Sequence, residues 1–273
     1  MPAPRVRFTD VLSAPTPIIG VIHLPALPGY DASPGLDAVL AHALADLGAF
    51  VAGGVDAVLV ENEGDRPHRV KAEPDTIACM TRIARAVVRE AGDLPVGVEI
   101  LLNDPRASLA VAHATGARFI RTDYFVDRME RPEHGGEMAI DPAGLLAYRE
   151  ALGAAGVLIL ADIQVKHARM IEPRPLSISA MLAGQHGADA IIVTGDLTGL
   201  APSMADVEEA RRGASAVPVL VGSGLDDANA GRLLGAADGA IVGTFLRTGG
   251  AVDAERLRRL MDAVHAVRAT RAG

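Results

Sequence analysis

Asp162, Gln164 and Lys166 alternate along one apolar run behind Leu158 and Leu160. A spacing of two places all five on one face of a strand. A carboxylate, an amide and an amine pointed at a core must be paired or must do chemistry, because burying them alone is costly. The pattern recurs in other apolar runs: Glu61 with Glu63, Glu99 with Asn103, Arg121 with Asp123, and His23 behind Ile19 and Val21. Carboxylates so placed can move protons, and a lysine among them can act as an electrophile or Schiff-base nucleophile. The expected catalytic groups are therefore Lys166, Asp162, Glu61 and Glu99. His23, Asn62, Asn103, Arg121, Asp123, Gln164 and Thr194 are the expected substrate contacts. A plainer reading makes Asp162 with Lys166, and Glu99 with Arg121, interior ion pairs that fix the fold, and buried pairs are weak support for function. No cofactor is predicted. A divalent metal, if one binds, would use the carboxylates Glu61, Glu99 and Asp162. Glu133, His134 and Glu137 match no ligand spacing and read as part of a solvated lid. His167 has the opposite parity to Lys166 and reads as peripheral.

A second chemistry lies in Val217–Arg247. There a short strand ends in Gly222-Ser223-Gly224, a helix opened by Asp226 and Asp227 follows, and a second strand ends in Gly243-Thr244. Glycine lets a backbone turn sharply and bring its N–H groups to an anion. With Gly195 at the end of the preceding strand, the expected phosphate-binding set is Gly195, Gly222, Ser223, Gly224, Gly243 and Thr244.

These residues need elements to hold them. Apolar runs near 17–24, 55–62, 95–102, 118–124, 157–166, 188–194, 218–222 and 239–243 read as strands, each followed by a helical stretch. No composition break marks a linker. Such alternation implies a parallel sheet, since each helix returns the chain to begin the next strand in the same direction. Eight repeats in 273 residues predict an α/β protein, a single (β/α)8 barrel over residues 1–273. An open doubly wound sheet is the alternative. In a barrel the chemistry sits at the carboxyl ends of the strands, with phosphate commonly held after strands 7 and 8.

Composition narrows the partners. The formal charge is −8, and 26 basic residues are interspersed with 34 acidic ones. Without a basic face, nucleic acid is not expected as a partner. A small anionic ligand remains allowed, because local dipoles and single cations can overcome the global sign. Cys79 is the only cysteine, so no intramolecular disulfide forms. The stretch Met1–Asp10 lacks the apolar run of a signal peptide, and no uninterrupted apolar stretch approaches a membrane span of about 20 residues. The expectation is a cytoplasmic protein without integral membrane association, compatible with a homo-oligomer.

Taken together, I-I-G-V-I-H-L-P-A-L-P-G ending at Gly29, D-A-V-L-V-E-N-E-G-D (56–65), N-D-P-R-A-S-L-A (103–110), F-I-R-T-D (119–123), L-I-L-A-D-I-Q-V-K (158–166), A-D-A-I-I-V-T-G (188–195), P-V-L-V-G-S-G (218–224) and D-G-A-I-V-G-T (238–244) resemble the BtpA family. That family includes SgcQ-type proteins and carries the label of photosystem I biogenesis. The resemblance implies a TIM barrel. For function it implies either an assembly factor or an accessory protein or nucleosidase in sugar utilisation. The chain departs from many relatives at Glu63 and at Thr122-Asp123. The residues themselves favour an enzyme acting on a phosphorylated sugar or nucleotide-like molecule, by isomerase, lyase or nucleosidase chemistry. The alternative is a non-catalytic photosystem I assembly scaffold, which would have no need of ionisable groups at its centre.

Overall fold

The computed structural model describes residues 6–272, so Met1–Arg5 of the N-terminal stretch lie outside the described residues. Eight parallel strands close into a barrel: β1 (Ile18–His23), β2 (Ala57–Glu61), β3 (Val96–Glu99), β4 (Phe119–Thr122), β5 (Leu158–Asp162), β6 (Ala190–Val193), β7 (Val219–Val221) and β8 (Gly239–Val242). Each strand pairs with its neighbours in sequence, and β8 returns to β1 through Ile18 opposite Ala240. The helices α1 (Leu36–Gly53), α2 (Pro74–Ala91), α3 (Pro105–Thr115), α4 (Pro142–Ala151), α5 (Leu176–Gln185), α6 (Met204–Ala214), α7 (Ala230–Ala236) and α8 (Ala254–Ala272) follow the strands in turn.

The alternation of side chains sorts the apolar residues into two cores. One face of the strands packs outward against helix residues such as Val39, Phe50, Ile83 and Leu233. The other fills the barrel with Ile19, Val21, Leu59, Phe119, Leu158, Leu160, Ile192, Leu220 and Ile241. Phe119 fits only because β3 carries glycine beside it, where a Cβ on Gly97 would meet its ring at 2.0 Å. A short helix, Phe8–Val11, precedes β1, and Phe8, Val11 and Leu12 join the interior cluster. Among the described residues, α1 is the one helix long and apolar enough to cross a membrane. Asp37 and Asp46 interrupt it, and Val39, Ala43, Leu47 and Phe50 pack it onto the barrel.

The strands end earlier than the apolar runs suggest. Past Glu99, the amide of Ile100 donates to Ser108 Oγ at 3.0 Å and that of Leu101 to Asn62 Oδ1 at 2.8 Å, so side chains take over from the ladder. Past Asp162, Gln164 has a φ of 44° and its amide donates to Asp127 Oδ2 at 2.7 Å. Helix α7 starts at Ala230 rather than at Asp226, because Asp226 and Asn229 exchange side-chain to backbone hydrogen bonds of 3.0 and 2.8 Å. Such a closed Asx turn competes with helix. The lid that carries Glu133, His134 and Glu137 spans 125–140 and is built around a small sheet. Its strand Met129–Arg131 pairs antiparallel with Gly136–Met138 on one side and with Arg169–Met170 on the other. Met129 and Met138 cover Leu102, Tyr124 and Val165.

Candidate active site

The last inward-facing residue of each strand forms the uppermost layer of the barrel. In register, His23 stands beside Glu61 on β2, and Glu61 beside Glu99 on β3. Across the barrel the corresponding positions after β7 and β8 are Gly222 and Gly243. Large polar side chains on one half and absent side chains on the other leave a cavity of about 460 Å3. His23, Glu61, Glu99, Arg121, Asp123 and Lys166 line one side, and Gly222–Leu225 with Gly243–Phe245 line the other.

Arg121 is the hub. Its Nε and Nη2 bind Asp162 at 2.8 and 3.0 Å, a bidentate pair, while Nη1 lies 3.3 Å from Glu61 and Nε 3.7 Å from Glu99. All four side chains are buried. Burial alone would lower the guanidinium, but Asp162, Glu99 and Glu61 outweigh it and hold it firmly charged. One cation cannot satisfy every carboxylate around it. Burial would raise Glu61, yet Arg121, His23 and Lys166 bring it below its ordinary value. Glu99 is pushed well above the usual range by burial, with Glu61 and Asp123 adding repulsion. The hydrogen bond between Glu99 and Glu61 favours a proton on Glu99 over one on Glu61. Asp123 is raised to about 7 by burial, reinforced by Asp162. His23 is lowered by burial against the pull of Glu61, whose Oε2 lies 3.7 Å away. Lys166 has no ion-pair partner within 4 Å among the described residues, and its charge lowers Glu61 and Asp123 from a distance. The arrangement offers a carboxyl held well above the usual range, a second poised near neutrality and an unpaired ammonium around one hollow.

The glycines serve close packing as much as access. A Cβ on Gly222 would meet Ile192 at 2.3 Å and Arg121 Nη2 at 3.5 Å, and one on Gly243 would meet the His23 ring at 2.8 Å. Gly195 and the Ser223 hydroxyl are engaged elsewhere than at the expected anion site. The Gly195 amide donates to Ser223 Oγ, which donates to Leu200 O at 2.7 Å, and Gly195 is off the cavity wall. The Gly222 amide is committed to Val193 O. The amides of Ser223, Gly224, Thr244 and Phe245, in contrast, meet no acceptor among the described residues.

Four expected substrate contacts do not reach the cavity. Asn62 spans Asp65 and Leu101, and Asn103 donates to Ala139 O at 3.2 Å in the lid. Gln164 turns outward to Arg174 O and Ser179 Oγ, both at 3.0 Å. Thr194 is below the wall, its hydroxyl buried without a partner. Asn103 and Gln164 leave the inward face because their strands stop at Glu99 and Asp162 and alternation ends there. Gln164→Ala is accordingly expected to cost about 1–3 kcal/mol of stability while leaving ligand binding in the barrel unchanged, as denaturant melts and calorimetry would show. Asp162 lies beneath the cavity rather than on it, with both oxygens on Arg121, so it positions Arg121. That engagement also removes Asp162 from the expected metal set, and among the described residues no group of three or more His, Cys, Asp or Glu is disposed to hold an ion. His167 is exposed and bonds Thr198, as its parity suggests. Glu133 and Glu137 pair with Arg131 and Arg128 on the lid.

Sequence reading missed Arg247, which lines the cavity one short turn beyond β8 and is held by Val21 O at 2.9 Å and by Asp46. Its only signal was a cation following Phe245-Leu246. Glu63 also reaches the wall, raised by burial and by Glu61.

Fold and site together define a (β/α)8 barrel with an ionisable cluster at the carboxyl ends of its strands. The chain belongs to the BtpA family, whose model matches residues 14–266. It is 38% identical over 246 residues to a protein of Archaeoglobus fulgidus, covering 90% of this chain and 97% of that one. It is 37% identical over 259 residues to the photosystem I biogenesis protein BtpA of a Synechocystis species, covering 91% and 88%. Among solved structures, the (S)-3-O-geranylgeranylglyceryl phosphate synthase of Thermoplasma acidophilum superposes with a TM-score of 0.61 at 16% identity, over 96% of this chain and 100% of the other. The N-(5'-phosphoribosyl)anthranilate isomerase of Pyrococcus furiosus gives 0.58 at 14% identity, over 92% and 100%. At such identities the likeness is one of fold.

Proposed function

We propose that the protein is a cytoplasmic enzyme acting on a small phosphorylated molecule, a sugar phosphate or a nucleotide-like compound, at the mouth of the barrel. The observation that carries this reading is Asp123, a carboxyl raised to about 7 on the wall of a cavity whose opposite side presents unpaired amides. A group near neutrality both gives and takes a proton efficiently. Asp123 would exchange the proton with substrate, Glu99, held well above its ordinary range, would act as acid and Lys166 would draw charge from a carbonyl or leaving oxygen. Arg121, held by Asp162, sets the field in which they work. Phosphate would lie on the Gly224 and Thr244 amides, away from the carboxylates. The neighbouring folds include enzymes named for phosphorylated compounds, which accords with this division. The isomerase, lyase and nucleosidase chemistries all use such a set.

Inorganic phosphate, ribose 5-phosphate and sn-glycerol 1-phosphate are expected to raise the melting temperature through preferential binding to the folded state. Thr244→Glu places a negative charge at an exposed position beside those amides. It should weaken phosphate by about ten-fold or more without altering the fold, since a like charge opposes the ligand. No shift with any of the three compounds would sink the phosphate reading. The Synechocystis relative supports a second reading, an assembly scaffold for photosystem I. On that reading, substitutions within the cavity would leave the protein's role untouched.

A further inference from the structure

A second cavity of about 420 Å3 adjoins the first and shares Glu63, Leu101, Asp123, Lys166 and Thr198 with it. Each is the size of a small-molecule site, which spans about 300–1,000 Å3. The far wall of the second comes from the chain after β2, which supplies Arg66 and His68, and from the lid, which supplies Arg131 and Glu133. Two of its cations stand against carboxylates, Arg66 against Glu63 and Arg131 against Glu133, while Lys166 and Asp123 lie where the two cavities join. Arg66 is already paired with Glu63, and Arg131 with Glu133. An anion entering there would have to displace those pairs, whereas an uncharged group would not.

His68 is the group left over. Its side chain is 5% exposed, Nδ1 is buried without a partner, and Nε2 is 3.9 Å from Glu63 Oε2, beyond hydrogen-bond reach. Burial lowers its pKa to about 4, helped by Arg66 and Arg131, so at neutral pH the ring is uncharged. A neutral imidazole in a chamber with planar Arg–Glu pairs and the apolar surface of Leu102 and Val165 suits a polyhydroxylated ring, which offers both donors and acceptors.

We propose that this chamber binds the uncharged, hydroxyl-bearing part of a two-part phosphorylated substrate, with His68 hydrogen-bonding that part and its junction with the phosphorylated part lying beside Lys166 and Asp123. This rests on the phosphate reading above and narrows it to molecules with a second polar ring.

The test is calorimetric titration of the full chain with sn-glycerol 1-phosphate, trehalose 6-phosphate, unphosphorylated trehalose and fructose 1,6-bisphosphate. Trehalose 6-phosphate should bind at least about ten-fold tighter than glycerol phosphate, the second ring supplying the difference. His68→Phe should erase that advantage while glycerol phosphate is held as before. His68→Gln, which keeps a hydrogen-bonding side chain, should retain most of it and serves as the readout if the phenylalanine variant does not fold. Unphosphorylated trehalose that binds the native chain and His68→Gln but not His68→Phe would uphold the chamber even if the phosphate reading failed. Equal affinity for glycerol phosphate and trehalose 6-phosphate, equal weakening of both by His68→Phe, or a preference for the bisphosphate would overturn the proposal.

Discussion

Replacing Arg121 with methionine is expected to destabilise the barrel by about 3–5 kcal/mol, the usual cost of removing one partner from a buried ionic cluster. For a domain of this size the melting temperature should fall by roughly 6–20 °C, at about 2–4 °C per kcal/mol. Arg121 is the cation that Asp162, Glu61 and Glu99 contact, and methionine fills similar space without charge. The loss should be largest at pH 8 and shrink towards pH 5. Without the guanidinium, burial acts on Glu61 and Glu99 unopposed and pushes both upward, so the penalty is fully present once the unfolded chain has ionised and is relieved as the pH falls. Arg121→Lys should recover only part of the stability, since an ammonium cannot make the bidentate pair with Asp162. A methionine variant melting within about 2 °C of the native chain, inside the effect of 1 kcal/mol, would show that the hub is not structural.

Asp123→Asn is expected to act in the opposite direction. The Asp123 carboxyl titrates near 7 in the folded protein because burial and Asp162 disfavour its charge, whereas its unfolded counterpart ionises near 4. Between those values the unfolded chain binds fewer protons than the folded one, so stability falls as pH rises through the window and levels off above 7. The cost at pH 8 is on the order of 2–4 kcal/mol. Asparagine cannot ionise, so the variant should be more stable than the native chain at pH 8 and close to it at pH 4. Phosphate should bind as before, while any proton-transfer activity is lost. A carboxyl kept at a cost to stability fits a functional group better than a structural one. Urea melts at the two pH values check this. A variant no more stable at pH 8 would mean that Asp123 is ionised and well paired.

Which residues could meet was partly visible in the order of amino acids. His23, Glu61 and Arg121 follow apolar residues of the same parity within their strands, Glu99 follows Gly97, and alternation is a local geometric rule. It reached the right face wherever the strand continued. Past the last ladder bond it had no force, and Asn103 and Gln164 swung into the lid and α5. Arg247 was hidden for the converse reason. It lies beyond β8, and only the turn Thr244–Leu246 and its hold on Asp46 of α1 bring it back to the mouth.

The sequence by itself determined the eight-fold alternation, the parity of the inward residues and the contrast between charged strand ends and glycine-ended ones, because each depends on spacing of a few residues. Tertiary structure alone decided which charges pair. Asp162 became the anchor of Arg121 rather than a free carboxylate, and Asp123 was left to compete for a cation already taken. It also folded the lid over a second chamber. Those outcomes depend on distances between strands far apart in the chain and on exclusion of water, neither of which is written in local spacing.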